Sequence, residues 1–202
     1  MIKARLGEHL DAAVQRVCPF LFRHPLNPNL LSVLGVLISL CSAVSFARGA
    51  LPLGGALLLV GGFFDLADGA VARHRGTTSS FGAFLDSTLD RIVDMAILLG
   101  ILMHYAKDGE LALALLAGLA SITTVMVSYT KARAESIVSG FNGGIMERGE
   151  RVLFLVAGAL TGYLPLCLGI VAAGSAVTAI QRVAMAYREM AQVDAAAQGE
   201  KT

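Results

Sequence analysis

Phe64–Asp94 reads FDLADGAVARHRGTTSSFGAFLDSTLDRIVD and holds five of the chain's eight aspartates: Asp65, Asp68, Asp86, Asp90 and Asp94. The flanks are strongly apolar, LPLGGALLLVGGFF before the first aspartate and MAILLGILM after the last. On a helix Asp65 and Asp68 are spaced i,i+3, and Asp86 and Asp90 i,i+4, so each pair faces one way. The linker HRGTTSSF carries glycine and Ser/Thr turn chemistry, which lets two helices fold back and bring the pairs together.

The energetics argue against chance. One aspartate at membrane depth costs ~3 kcal/mol on insertion scales. Four uncompensated ones would cost on the order of 12 kcal/mol, comparable to the whole stability of a domain at ~5–15 kcal/mol. Converging carboxylates with few lysines beside them describe a site for a hard divalent cation, magnesium or manganese. The plainer alternative, acids solvated at helix ends, does not need the repeated one-face spacing.

Composition agrees with a membrane setting. The chain has 202 residues, 55% of them hydrophobic, no tryptophan and a mean hydropathy of +0.69. Only 15% are charged, against about 25% in a soluble domain. The net charge of +1 predicts no nucleic-acid partner. Cys18, Cys41 and Cys167 lie far apart without metal-type spacing and read as buried thiols. No cleavable signal peptide is expected at the charged N-terminus.

Taken in order, residues 1–18 place Ile2, Leu6, Leu10, Val14 and Val17 at helical spacing among Lys3, Arg5 and Arg16, an amphipathic helix suited to the membrane interface. Asn27-Pro28 predicts the start of a first span that runs to Ala47. The second begins near Leu51; its charge-free part is too short for the ~20 residues a span needs, so Asp65 and Asp68 fall within its last turns and end it. A third runs from Gly82 to about His104, and a fourth from Leu111 into Lys131 and Arg133. Val152–Gln181 is too long for one span, and Gly162, Tyr163 and Pro165 supply a turn within it. Two spans fit if the first starts near Ile145 and the second continues to about Met190. The expectation is an all-α integral membrane protein: an amphipathic segment over 1–24, six transmembrane helices over 25–191 and a polar tail over 192–202.

With six spans, Lys3, Arg5, Arg16, Arg23, Arg73, Arg75, Lys131, Arg133, Arg148, Arg151, Arg182 and Arg188 share one side, and only Arg48 and Lys107 the other. The cation bias puts both termini and the aspartates at the cytoplasmic face of the cell (inner) membrane. There the helix ends enclose a cavity with an acidic wall for metals bridging a diphosphate and a basic wall for a second phosphate.

The residues Asp65-x2-Asp68-Gly69-x2-Ala72-Arg73-x8-Gly82-x3-Asp86-x3-Asp90 resemble, with every spacing intact, the signature of the CDP-alcohol phosphotransferases, integral membrane enzymes of phospholipid head-group synthesis. Eight fixed positions over 26 residues make a specific match. The resemblance implies two Mg2+ ions, with Mn2+ possible, held by Asp65, Asp68, Asp86 and Asp90 and bridging the diphosphate of a CDP-linked lipid. It implies Asp90 as general base, CDP contacts at Asp68, Gly69, Ala72 and Arg73, and a homodimer packed through transmembrane helices. Ala114, Ala117 and Gly118 are compatible with close packing. Asp94 lies one turn further along and reads as a supporting group or a partner of Arg91.

Ser128–Glu135 (SYTKARAE), Glu147–Arg151 (ERGER) and Gln181-Arg182 are similar to a subgroup, the bacterial phosphatidylinositol-phosphate synthases. This implies CDP-diacylglycerol as donor and inositol phosphate as acceptor, its phosphate bound by Lys131, Arg151 and Arg182, with weaker parts for Arg133 and Arg148. The runner-up is a phosphatidylglycerophosphate synthase using glycerol 3-phosphate. A different class, a divalent-metal transporter, predicts acids along a path through both leaflets, whereas the acids here gather on one side.

Overall fold

The computed structural model describes residues 15–16, 19, 28–76, 79–138, 140–141 and 143–199. The amphipathic helix expected over residues 1–18 lies almost wholly outside them. Six long helices follow: α1 Pro28–Ala47, α2 Leu51–Arg75, α3 Ser80–Lys107, α4 Leu111–Glu135, α5 Arg148–Thr161 and α6 Leu164–Gly199. No strand occurs among the described residues.

The helix boundaries follow local chemistry. Gly49 (φ 78°) ends α1, and α2 restarts at once with a proline in its first turn, where a missing N–H costs nothing. Gly76 stops α2 in the left-handed conformation, its N–H returning to Ala72 O and Arg73 O. Ser79 caps α3, its Oγ accepting from Gly82 N–H at 3.0 Å. A Cβ on Gly82 would meet that Oγ at 3.0 Å.

The helices pack as a closed ring in the order α1–α2–α5–α6–α4–α3. Two crossings are made by small residues, which let backbones touch. A Cβ on Gly61 of α2 would lie 2.2 Å from Ser39 Oγ of α1, and one on Gly100 of α3 would lie 2.3 Å from Ala43 O. Phe46, Leu58, Ile97, Leu98, Ile101, Leu168 and Val171 fill the centre. Ala114 and Ala117 are buried in this same core, and Gly118 lies against Leu102. The small residues of α4 are thus used inside the chain rather than kept for a second copy. The outside of α4 shows Leu111, Leu115, Leu119, Ile122 and Met126, an apolar stripe facing outward at helical spacing.

Asn29–Ala47, Leu51–Arg75, Leu111–Glu135 and Leu164–Val193 are long and apolar enough to cross a membrane. The other two helices of the expected six differ for physical reasons. Asp86, Asp90, Arg91 and Asp94 interrupt the apolar run of α3. The fifth helix begins at Arg148 rather than near Ile145 and has 14 residues, roughly 21 Å at 1.5 Å per residue.

Candidate active site

Asp65 and Asp68 do not end α2; the helix runs on to Arg75 and places them inside its length. Asp86 and Asp90 lie in the early turns of α3. Although α2 and α3 are not neighbours in the ring, one carboxylate oxygen from each of Asp65, Asp86 and Asp90 falls within 4.8 Å of the others. Asp68 is buried at 6% exposure. Ser32 of α1 hydrogen-bonds its carboxylate, and its Oδ2 has no hydrogen-bond partner among the described residues. A buried carboxylate oxygen without a donor is costly unless a cation answers it. The oxygen-only donor set and the orphaned Oδ2 fit a divalent magnesium- or manganese-type ion.

Arg148, the first residue of α5, reaches into this cluster. Its Nη1 lies 2.7 Å from Asp65 Oδ2 and 2.8 Å from Asp90 Oδ1, and its Nε 3.5 Å from Asp94 Oδ1. Arg151, one turn on, places Nη2 at 3.0 Å from Asp94 Oδ2 and donates from Nη1 to Met146 O at 3.5 Å. Two arginines in a helix's first turn oppose its dipole, and the aspartates of α2 and α3 offset that repulsion. Asp94 therefore pairs with α5 and not with Arg91, which donates to Ser87 O and Ser87 Oγ on its own helix.

A cavity of about 240 Å³ opens beside the cluster. Asp86, Asp90 and Asp94 line its acidic wall; Lys131 of α4, Arg148 and Arg151 of α5 and Arg182 of α6 line the basic one. Lys131 Nζ is 3.7 Å from Glu135 Oε1. Arg182 is buried at 3% exposure, donating from Nε to Gly143 O at 2.8 Å and from Nη1 to Val127 O. It fastens the segment before α5 to α4 and α6.

Arg133, expected with the phosphate-binding cations, is exposed and reaches Ser136 Oγ at 3.4 Å, outside the cavity wall. Gly69, Ala72 and Arg73 sit on the last turns of α2, beyond the cavity wall. A Cβ on Gly69 would approach Arg73 Nη1 to 3.1 Å, so the small residue leaves room for the folded-back guanidinium. Ser87, Arg91, Val127, Ser128 and Glu147 complete the cavity. Arg91 enters the sequence reading only as a partner of Asp94, and Ser128 and Glu147 only within the SYTKARAE and ERGER pieces. Ser87 and Val127 are not singled out; the one signal for Ser87 is its position directly after a motif aspartate.

A helical membrane bundle whose carboxylates converge opposite guanidinium groups has the makings of a phosphotransferase acting on anionic substrates. The chain belongs to the CDP-alcohol phosphatidyltransferase family, whose profile matches residues 26–188, and it is an enzyme of that class. It is 39% identical to the phosphatidylinositol phosphate synthase of Streptomyces avermitilis, over 98% of this chain and 89% of that one. It is 42% identical to the archaetidylinositol phosphate synthase of Methanothermobacter thermautotrophicus, over 72% of each. The crystal structure of Mycobacterium tuberculosis phosphatidylinositol phosphate synthase with CDP-DAG bound superposes with a TM-score of 0.76 at 32% identity, covering 86% of this chain and 93% of that one. The same enzyme in complex with manganese and citrate gives 0.75, covering 86% and 88%.

Proposed function

We propose that the protein transfers a phosphatidyl group from CDP-diacylglycerol to inositol phosphate, yielding phosphatidylinositol phosphate and CMP. The observation that carries this reading is the cavity's division into a carboxylate wall on α3 and a cationic wall from α4, α5 and α6. Asp65, Asp68, Asp86 and Asp90 would hold two divalent ions, Mg2+ or Mn2+. When bound, these neutralise charge on the donor's diphosphate and the departing CMP. Asp90 takes the proton of the acceptor hydroxyl. That oxygen bonds to the lipid-bearing phosphorus as the bond from phosphorus to the CMP oxygen breaks, and the electron pair leaves with CMP. Asp68, Gly69, Ala72 and Arg73 face the nucleotide side. Lys131, Arg148, Arg151 and Arg182 bind or frame the acceptor phosphate, with Arg133 outside that group.

We read the chain as spanning the cell (inner) membrane six times, the site facing the cytoplasm and two copies forming a homodimer. A transporter is disfavoured because Leu58, Ile97, Leu98, Ile101 and Leu168 close the bundle beyond the acids. The reading is tested with purified protein, CDP-diacylglycerol and Mg2+, offering inositol phosphate, glycerol 3-phosphate, free inositol and serine in parallel. CMP release is expected with inositol phosphate at least tenfold above the rest. Preference for glycerol 3-phosphate would move the assignment to a phosphatidylglycerophosphate synthase.

A further inference from the structure

Arg148 occupies a contradictory position. A single nitrogen, Nη1, serves both Asp65 Oδ2 and Asp90 Oδ1, at 2.7 and 2.8 Å. Those two side chains belong to the triad whose oxygens converge within 4.8 Å. An ion there would coordinate at about 2.1 Å. Its charge would then stand a few ångströms from the guanidinium in a half-buried, weakly screened cavity. One of the two cations has to leave. The arginine is the movable one, because its charge rides on a long side chain whereas the carboxylates are short and fixed to two helices.

The other cavity arginines are anchored differently. Arg151 is held by Asp94 and Met146 O, and Arg182 by Gly143 O and Val127 O. None of those four acceptors belongs to the converging triad. Arg148 alone among these three has partners that a metal would claim. Released, it stays within the cavity that Lys131 also lines.

We propose that Arg148 is an exchangeable cation: it neutralises Asp65 and Asp90 until a divalent ion arrives, and the ion displaces it toward the acceptor's phosphate. The proposal rests on the reading of these carboxylates as metal ligands. Its consequence is thermodynamic: metal and acceptor bind with positive coupling, and the coupling is reciprocal. Acceptor phosphate holds the guanidinium away from the carboxylates and so tightens the metal; metal frees the guanidinium and so tightens the acceptor. Arg148 is thereby a positioning residue whose role shows in binding before any turnover.

The test titrates Mn2+ by the loss of its free-ion paramagnetic resonance signal, using full-length protein in detergent with and without inositol phosphate. In the unaltered protein the acceptor tightens Mn2+ binding about tenfold. Arg148→Met binds Mn2+ alone about tenfold more tightly, having lost the competitor, and the acceptor then shifts it less than about twofold. Arg148→Lys, which keeps the charge but loses the second nitrogen that lies 3.5 Å from Asp94 Oδ1, falls between them and replaces the methionine variant if that one does not fold. Arg148 variants that bind Mn2+ no better than the parent, or that keep its full coupling, overturn the exchange. Asp65→Asn separates the two readings. If it leaves Mn2+ binding untouched, the metal site itself is misplaced; if it weakens binding while Arg148 is silent, only the exchange fails.

Discussion

The two ends of the bundle are built on opposite terms. At the far end, residues 48–50, 108–110 and 162–163 join consecutive helices with almost no slack, and Gly49, Gly109 and Gly162 take φ of 78°, 79° and 82° to make the turns. Lys107 Nζ donates to Ala47 O at 3.0 Å, tying two of the turns together. At the site end the links are 76–79 and 136–147, and α2 and α4 run on to Arg75 and Glu135. Like charges are crowded there and answered across the ring rather than by sequence neighbours. A bundle pinned at one end can hold a repulsive cluster at the other, because helices fixed in the core carry the carboxylates to set positions.

The sharpest way to break that contrast is at Asp90. Asp90→Asn keeps the side chain's size and removes its ability to accept a proton. Turnover is expected to fall by about a thousandfold, within the range for a lost general base. Gly109→Ala, in a far-end turn, should leave turnover within about twofold and tax only stability, by ~1 kcal/mol for the left-handed backbone. Comparable activity losses in both variants would abolish the functional distinction between the ends.

The next largest effect concerns stability at the site end. Asp94 and Arg151 are both buried, at 9% and 4% exposure, and removing Arg151 leaves the Asp94 carboxylate with only the longer 3.5 Å approach of Arg148 Nε. Arg151→Met should destabilise by about 3 kcal/mol, and Asp94→Asn combined with Arg151→Met should recover most of it. Thermal unfolding in detergent reads both. A double variant no better than the single would mean that Arg151 stabilises through something other than this pair.

In the middle of the bundle the expected effect is smaller and purely steric. Gly100→Ala puts a methyl group 2.3 Å from Ala43 O, a backbone atom that cannot swing aside. Parting α1 from α3 should cost about 1–3 kcal/mol with activity per folded molecule retained. An alanine variant as stable as the parent would show that the crossing is looser than these distances imply.

These contrasts also show what the sequence could disclose. The carboxylate spacing is readable because an aspartate inside an apolar run is costly and persists where a cation answers it. The turns at Gly49 and Gly162 announce themselves through glycine with proline close behind. Helix ends at the site are harder to read, because a charge is a poor boundary marker: α2 continues seven residues past Asp68 to Arg75. The start of α5 falls later than expected because Glu147 is extended (φ −88°, ψ −178°) and caps the helix, its N–H donating to Glu150 Oε2 at 2.9 Å. Asp94 has Arg91 in its immediate chain neighbourhood, yet its partner stands 57 residues away. Ring order has no local signature at all, since α2 meets α5 only through the fold.

The smallest expected effect is the most discriminating about the basic wall. Lys131 and Arg133 are two residues apart on one helix, so their side chains leave it in different directions. Lys131 lines the cavity; Arg133 is exposed and reaches Ser136. Lys131 is itself partly solvated and 3.7 Å from Glu135, so its loss should remove a screened, charge-assisted contact and not a buried one. Lys131→Gln is therefore expected to raise the acceptor KM about tenfold, equivalent to ~1.4 kcal/mol, with the KM for CDP-diacylglycerol unchanged. Arg133→Gln should alter neither by more than about twofold. Because both substitutions remove one positive charge from the same helix end, a general electrostatic effect would move them together. Only contact with the acceptor separates them, and equal shifts would return the phosphate site to the rim of the bundle.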